Sequence, residues 1–156
     1  MKAISLILLS IVMLGCLSME RKREVYDYKF NEWQQRQQRE GWTSEIVSEI
    51  ADSVRAMNDY RLEGSRDYWK TYGDWLKDGL RGDCEDTVFA ISGTLRRMGY
   101  PHGMELVIKQ SLLEDGQHAV IRIEMPDGTK RTFESIPTAM IPLNQFAYEI
   151  LAYPIM

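Results

Sequence analysis

The alternation of apolar and polar residues divides this chain of 156 residues into an apolar start, a polar stretch and a patterned remainder. The start carries one charge, at Lys2, followed by an uncharged apolar run over residues 3–14. About a dozen apolar residues are too few to span a bilayer core of about 30 Å comfortably, so residues 1–15 are typical of a signal peptide removed on export. Residues 17–40 are mostly charged and amide side chains without a long apolar face. They predict a polar tether, helical in part.

Helical spacing of apolar residues begins just after this polar stretch. A helix is predicted from Thr43 or Ser44 to about Asn58, with its apolar stripe at Ile46, Val47, Ile50, Val54 and Met57. Residues 62–73 form a loop-like aromatic stretch, and Asp74 is predicted to cap a short turn that contains Trp75 and closes at Gly79.

The next predicted helix, which starts after Gly82, has the clearest boundaries in the chain. Asp83 is predicted to cap its first turn, with Asp86 three residues later in a variant of the capping box. Gly99, followed by Pro101, ends the helix. Its apolar stripe consists of Val88, Ile91, Leu95 and Met98.

The pattern then changes to three predicted strands, over residues 104–109, 118–125 and 129–136. A Glu114-Asp-Gly116 turn precedes the second strand, and Pro126-Asp-Gly128 joins it to the third. A two-residue loop there would put the carboxylate of Glu134 opposite Ile121, whereas a three-residue loop with Gly128 left-handed puts Phe133 there. The three-residue register is therefore predicted. The apolar tail, residues 138–156, is expected to cover the sheet edge or the core.

Charge and cysteine usage narrow the class of protein. The net charge is −4 without a basic stripe, which argues against nucleic acid as the main partner. The two cysteines provide no disulfide framework. Met13-Leu14-Gly15-Cys16 resembles a bacterial lipobox, which implies cleavage before Cys16 and a lipid anchor on its sulfur. A plain secretory signal with an incidental cysteine is the alternative. Leu17 stands where an aspartate commonly retains lipoproteins at the inner membrane, so the resemblance suggests the outer membrane, with the domain facing the periplasm.

Three separate stretches contain residues suited to thiol chemistry. Cys84 lies in the first turn of its predicted helix, where unpaired N–H groups and the helix dipole favour a thiolate. His118 lies on the second strand and Glu134 on the third, on the same face at the diagonal position. The hypothesis is a nucleophile, a base and an orienting acid, with Cys84 accessible and partly ionised. Each residue also has a non-catalytic alternative. Cys84 could be a buried structural cysteine, His118 a strand histidine that faces solvent and Glu134 an ordinary exposed glutamate. His102 is interpreted as a surface-loop residue.

A family resemblance covers the run from about Ala56 to Pro137. The residues that carry it are Asp67-Tyr-Trp69, Trp75-Leu76, Gly82-Asp-Cys-Glu-Asp86, Leu95-Arg96, Gly99-Tyr-Pro101 and Gln117-His118. With these motifs the run resembles the bacterial transglutaminase-like cysteine proteinases, which include the periplasmic proteases of the LapG type. The resemblance implies an α+β fold with a papain-like core, in which the nucleophile helix packs on a small antiparallel sheet. Glu134 stands where the family has an aspartate, and Thr87 where it usually has an aromatic residue.

The resemblance also implies ligands beyond the triad. Calcium would be held by Asp83 and Glu85, since paired carboxylates suit a hard cation, and Trp69 is expected to contact substrate. No other cofactor is expected, because the sequence has no Cys–His cluster for zinc and no glycine-rich phosphate loop.

These observations predict a signal peptide over residues 1–15, a lipidated cysteine and polar tether over 16–42, and a transglutaminase-like domain over 43–156. The predicted function is a lipid-anchored cysteine peptidase that cleaves a protein substrate through an acyl-enzyme. Two alternatives stay open: acyl transfer to an amine, and a catalytically inactive lipoprotein that serves as a binding module.

Overall fold

The structure, a computed structural model, describes residues 2–61, 68–111, 117–136 and 146–156. Its helices are α1 (Lys2–Glu40), α2 (Ser44–Met57), α3 (Tyr72–Lys77) and α4 (Cys84–Arg97). Its strands are β1 (Asp59–Tyr60), β2 (Arg81–Gly82), β3 (Met104–Ser111), β4 (Gln117–Glu124), β5 (Lys130–Glu134) and β6 (Phe146–Pro154). The last four strands form an antiparallel sheet in the order β5–β4–β3–β6, and α4 packs against β4. The predicted α+β class is confirmed.

The helix α1 belongs to the folded domain. Tyr26, Phe30 and Trp33 recur at helical spacing and are buried in the hydrophobic core. The Trp33 indole N–H donates to Glu49 Oε1 of α2 at 3.1 Å, and the Tyr26 hydroxyl lies 2.9 Å from Thr94 Oγ1 of α4. The interpretation of residues 17–40 as a tether is therefore wrong for this part of α1, because three widely spaced aromatic residues suffice to bury one helical face. Within the described residues, no helix is long and apolar enough to cross a membrane.

The predicted helix after position 42 is confirmed as α2. Thr43 caps it, with its hydroxyl oxygen accepting from the Ile46 N–H at 3.3 Å. Ile46, Val47, Ile50 and Val54 of the predicted stripe are buried, so the amphipathic pattern decides which face packs on the core.

A network of hydrogen bonds around Asn58 joins the end of α2 to the segment in front of α4. The Asn58 amide accepts from the indole N–H of buried Trp75 at 2.8 Å and donates to Gly82 O and Thr87 Oγ1 at 3.0 and 2.9 Å. Thr71, not Asp74, caps α3, with its hydroxyl oxygen 3.2 Å from the Asp74 N–H. Thr87 thus takes part in this hydrogen-bond network. Of the predicted aromatic loop, residues 62–67 lie outside the described ranges.

The β4–β5 hairpin has the three-residue register. Ile121 pairs with Phe133 and Glu124 with Lys130, and the Met125 N–H donates to Thr129 O at 2.7 Å. Gly128 adopts φ +81°, the left-handed conformation that glycine accepts without strain. The prediction for this hairpin is confirmed. The predicted turn at residues 114–116 lies outside the described ranges.

The end of the chain forms a strand. The expected covering tail includes β6, which pairs antiparallel with β3 from Glu105↔Pro154 to Ser111↔Phe146 with two register shifts. It covers the β3 edge of the sheet, as expected of the tail, and it does so as a fourth strand, which the sequence did not predict. Residues 138–145 lie outside the described ranges.

Candidate active site

The local structure around Cys84 is set by the backbone of Asp83. Asp83 is the N-cap residue of α4, and its carbonyl accepts from the Thr87 N–H at 3.2 Å and the Thr87 hydroxyl at 2.7 Å. The Asp83 side chain makes no capping hydrogen bond. The predicted capping box is therefore wrong, although the helix begins at the predicted residue. Cys84 lies in the first turn, where backbone N–H groups point out of the helix.

Asp86 fastens the preceding segment onto α4. Its side chain is fully buried. The Lys70 backbone N–H donates to its Oδ1 at 2.7 Å, and Lys70 Nζ lies 3.4 Å from its Oδ2. A Cβ on Gly82 would stand 2.3 Å from the Cβ of Asp86, so the strand before α4 needs glycine at this close approach. The buried carboxylate is stabilised by charge-assisted hydrogen bonding, which is what burial of a charge requires.

His118 and Glu134 form a hydrogen-bonded pair on neighbouring strands. His118 is 3% exposed, and its Nε2 lies 2.8 Å from Glu134 Oε2. Lys109 Nζ donates to Glu134 Oε1 at 3.1 Å from β3. The His118 hydrogen bond first, and then Lys109, lower the pKa of Glu134 to about 2 against the opposing effect of its burial. Glu134 is therefore ionised at neutral pH, and it holds one nitrogen of a ring that does not face solvent.

The thiol of Cys84 lies against the strand that carries His118. The backbone of Ala119, the residue after His118, lies near enough to the sulfur to lower the pKa of the thiol. The thiol itself donates to Glu85 Oε2 at 2.9 Å. The helix start and the β4 strand thus meet at Cys84.

The protonation state of Cys84 differs from the expected one. Burial raises the pKa of the thiol to about 12, reinforced by the hydrogen bond to Glu85 and the Glu85 charge and opposed by Ala119. Because the raised pKa lies far above neutral, the resting sulfur is a protonated thiol. The raised pKa runs against the expectation of a partly ionised thiol, whereas the side chain is half-buried and the expected access to it is not contradicted. The helix N-terminus does favour a thiolate, but desolvation and an adjacent carboxylate outweigh it.

Sequence reasoning missed several partners at this site. Tyr60 pairs with Gly82 through β1 and β2; burial first, and then the charges of Cys84, Asp83 and Glu85, raise the pKa of its phenol to about 12. Lys109 reaches Glu134 across the sheet, as the register Lys109↔His118 allows. The two-residue pairing of β1 with β2 leaves no periodic pattern in the sequence, so it gave no sign of Tyr60. Lys109 could have been found from the register of β3 against β4.

The two candidate calcium ligands, Asp83 and Glu85, flank Cys84 at the start of α4. Glu85 directs its carboxylate to the Cys84 thiol, and Asp83 is 7% exposed. Among the described residues, no three potential ligand side chains lie together, whereas Ca²⁺ takes six to eight oxygens. Calcium binding by Asp83 and Glu85 stays a prediction, and no step proposed below uses a metal.

The remaining predicted residues are spread over the molecule. Trp69 is 46% exposed, with its ring 5.9 Å from that of Phe89 on α4. His102 lies in the loop before β3, with its ring 5.2 Å from that of Tyr100. The side chain of Cys16 and the whole of Asp67 lie outside what the structure describes.

The fold is shared with solved structures. LapG of Legionella pneumophila, in a calcium-bound form, aligns with a TM-score of 0.51 and 16% identity over 86% of each chain. A candidate cysteine protease from Cytophaga hutchinsonii gives the same TM-score at 19% identity, covering 69% of this chain and 35% of that one, so this chain spans about a third of the Cytophaga protein. The sequence matches no protein-family model and no curated protein. The expected fold, of the LapG type, is confirmed.

Proposed function

We propose that this protein is a thiol peptidase that cleaves a protein substrate through an acyl-enzyme, with Cys84 as nucleophile. The observation that carries the proposal is the 2.8 Å hydrogen bond between the buried His118 ring and Glu134. His118 lies on β4, the strand on which the helix of Cys84 packs. A nucleophile, a base and an acid that holds the base are the groups that such chemistry requires. The LapG-like fold supports the same class of function.

The mechanism that we propose follows from which groups of the site carry protons. With Nε2 bound to ionised Glu134, the ring carries its proton there and leaves Nδ1 as the base. The Cys84 proton passes to Nδ1 as the sulfur bonds to the substrate carbonyl carbon, and Glu134 stabilises the imidazolium. The imidazolium then gives this proton to the leaving amine as the C–N bond breaks, and water hydrolyses the thioester. The first-turn N–H groups of α4 are placed to stabilise negative charge on sulfur or on the carbonyl oxygen.

The nucleophile can be tested without knowing the substrate. A peptidyl acyloxymethyl ketone, a thiol-directed electrophile, is expected to label Cys84 at pH 7 faster than it labels glutathione. Iodoacetamide, which has no peptide portion, is expected to show no such advantage because the resting thiol is protonated. Peptide mass spectrometry locates the label, and Cys84→Ala removes it. A peptide electrophile that reacts no faster than with glutathione, or that labels another residue, contradicts the assignment.

We also propose that Cys16 carries a lipid anchor and holds the domain at the periplasmic face of the outer membrane, on the strength of the lipobox-like Met13–Cys16. Because the Met19 side chain already packs on Gly79, only about three residues, or about 5 Å of helix, separate the anchor from the domain. The domain would then lie close to the bilayer surface.

Intact mass spectrometry of the mature protein checks the anchor. The expected mass is that of an acylated chain beginning at Cys16, and Cys16→Ser is expected to block processing or release the protein from membranes. A wild-type protein that is unacylated and cleaved elsewhere would refute the anchor, while the proposal for Cys84 would stand.

A further inference from the structure

A large apolar groove runs along α4, away from the nucleophile. Its volume is about 710 Å³. Its walls are the segment before α3, one face of α4, the middle of β3 and the last residues of the chain, and its main apolar members are Trp69, Tyr72, Phe89, Leu106, Tyr153 and Ile155. A concave apolar surface of this size is typical of ligand sites.

The groove begins one turn beyond the residue that contacts the thiol. Phe89, Ser92 and Arg96 line it from α4, and they share a helical face with Glu85, which accepts the Cys84 hydrogen bond. At about 1.5 Å per residue along a helix, Phe89 lies roughly 7 Å and Arg96 roughly 18 Å along the axis from Cys84. An extended polypeptide advances about 3.3 Å per residue. A substrate that is bound at Cys84 and follows α4 would place the side chains two to five residues from its scissile bond over this groove.

The charges around the groove favour an uncharged occupant. Arg96 is the one charged side chain among the described lining residues. Its guanidinium already donates to the carbonyl oxygens of Tyr100, His102 and Ile155, at 2.8, 3.0 and 3.1 Å. With that cation used to hold the end of the chain, the groove recognises its ligand through apolar surface.

The outer wall of the groove, Trp69, is held in position by the hydrogen bond between its neighbour Lys70 and Asp86 of α4. Trp69 directly precedes Lys70, whose backbone N–H binds the buried carboxylate of Asp86 at 2.7 Å. The indole is thereby kept beside Phe89 although it is 46% exposed. Tyr72, on the inner side, packs so closely on α4 that a Cβ on Gly93 would stand 2.4 Å from it. Both aromatic walls are therefore fixed to the helix that carries the nucleophile.

We propose that this groove is a specificity subsite for apolar side chains of an extended polypeptide substrate, with Trp69 as its outer wall. The inference rests on the proposed peptidase function and names the substrate class of the same site: polypeptide segments with a large apolar residue two to five positions from the bond that is cleaved.

The test uses peptidyl acyloxymethyl ketones built on alanine, with either leucine or serine at the second, third, fourth or fifth position from the electrophile. At the best position, leucine is expected to raise the second-order rate of Cys84 labelling over serine by at least about ten-fold, from burial of its side chain. Trp69→Ala is expected to remove most of this preference, and Trp69→Phe to restore part of it. Tyr68→Ala is the matched control, since Tyr68 is the neighbouring aromatic residue and does not line the groove.

A second measurement separates the subsite from the chemistry. The best leucine peptide, as a plain amide, is titrated into Cys84→Ala with and without Trp69→Ala, and its Kd is expected to rise about ten-fold when the indole is lost. Equal rates for leucine and serine at every position, or equal preferences in Trp69→Ala and Tyr68→Ala, overturn the subsite and leave the nucleophile assigned. An unreactive Cys84 with Trp69-dependent peptide binding overturns the peptidase and keeps the groove as a peptide-binding site.

Discussion

Replacing His118 with alanine is expected to lower the rate at which a peptidyl acyloxymethyl ketone labels Cys84 by about 10²–10⁴-fold at pH 7, the usual contribution of a positioned base. The reason is the raised pKa of the thiol, about 12, which leaves almost no thiolate at neutral pH unless a base takes the proton. The 2.8 Å hydrogen bond to Glu134 fixes the orientation of the ring before substrate arrives. Labelling rates measured by mass spectrometry check the prediction.

The chain offers a matched control for this experiment. His102 is the other histidine, and it lies in the loop before β3, so His102→Ala is expected to leave labelling unchanged. Glu134→Gln keeps a hydrogen-bond acceptor for the ring but removes the charge that stabilises the imidazolium. It is expected to give a smaller loss than His118→Ala. Equal rates for the wild type and His118→Ala would exclude His118 as the base.

Truncation of Trp33 is expected to have the largest effect on stability. Trp33 is 1% exposed and packs in the core between α1 and α2, so Trp33→Ala is expected to reduce the free energy of unfolding by about 3–5 kcal/mol. The change also removes the hydrogen bond that the indole N–H donates to Glu49 Oε1. A loss of this size is a large share of the stability of a typical domain, about 5–15 kcal/mol. Urea unfolding followed by circular dichroism measures it.

Tyr28, on the same helix, is the control. It is 68% exposed, so Tyr28→Ala is expected to change the free energy of unfolding by no more than about 0.5 kcal/mol. The contrast between two aromatic residues five positions apart tests whether α1 is part of the domain. Identical unfolding midpoints for Trp33→Ala and the wild type would return α1 to the status of a tether.

Local signals explain which elements could be predicted. The helix after Gly82 and the β4–β5 hairpin rest on residues close in the chain: an apolar period, a Gly-Pro stop and a Pro-Asp-Gly loop. The same hairpin register placed Glu134 within reach of His118, and the 2.8 Å contact between them follows from that register. Period and turn chemistry act over a few residues, so they can be read without knowledge of the partner.

The predictions from sequence fail where residues distant in the chain decide how an element packs or bonds. The three buried aromatic residues of α1 lie among many charged residues in the sequence. They form an apolar face that is recognisable only once α2, α3 and α4 are seen to pack on it. The sequence predicts Asp86 as the capping-box partner of Asp83, yet its carboxylate binds Lys70, sixteen residues earlier. The strand β6 pairs with β3 although more than thirty residues separate them in the chain. No turn motif joins the two strands directly, so the pairing could not be predicted from local sequence.

The sequence by itself determined the helix that carries Cys84, the hairpin that carries His118 and Glu134, and hence the three candidate groups, because each depends on periodicity and turn residues within a short stretch. Only the tertiary structure decided that α1 is part of the core, that Trp69 forms the wall of a groove and that the resting thiol is protonated. The physical reason is that burial and charge are properties of surroundings: the pKa of Cys84 depends on how much water, which carboxylate and which backbone N–H the whole fold brings to one sulfur atom.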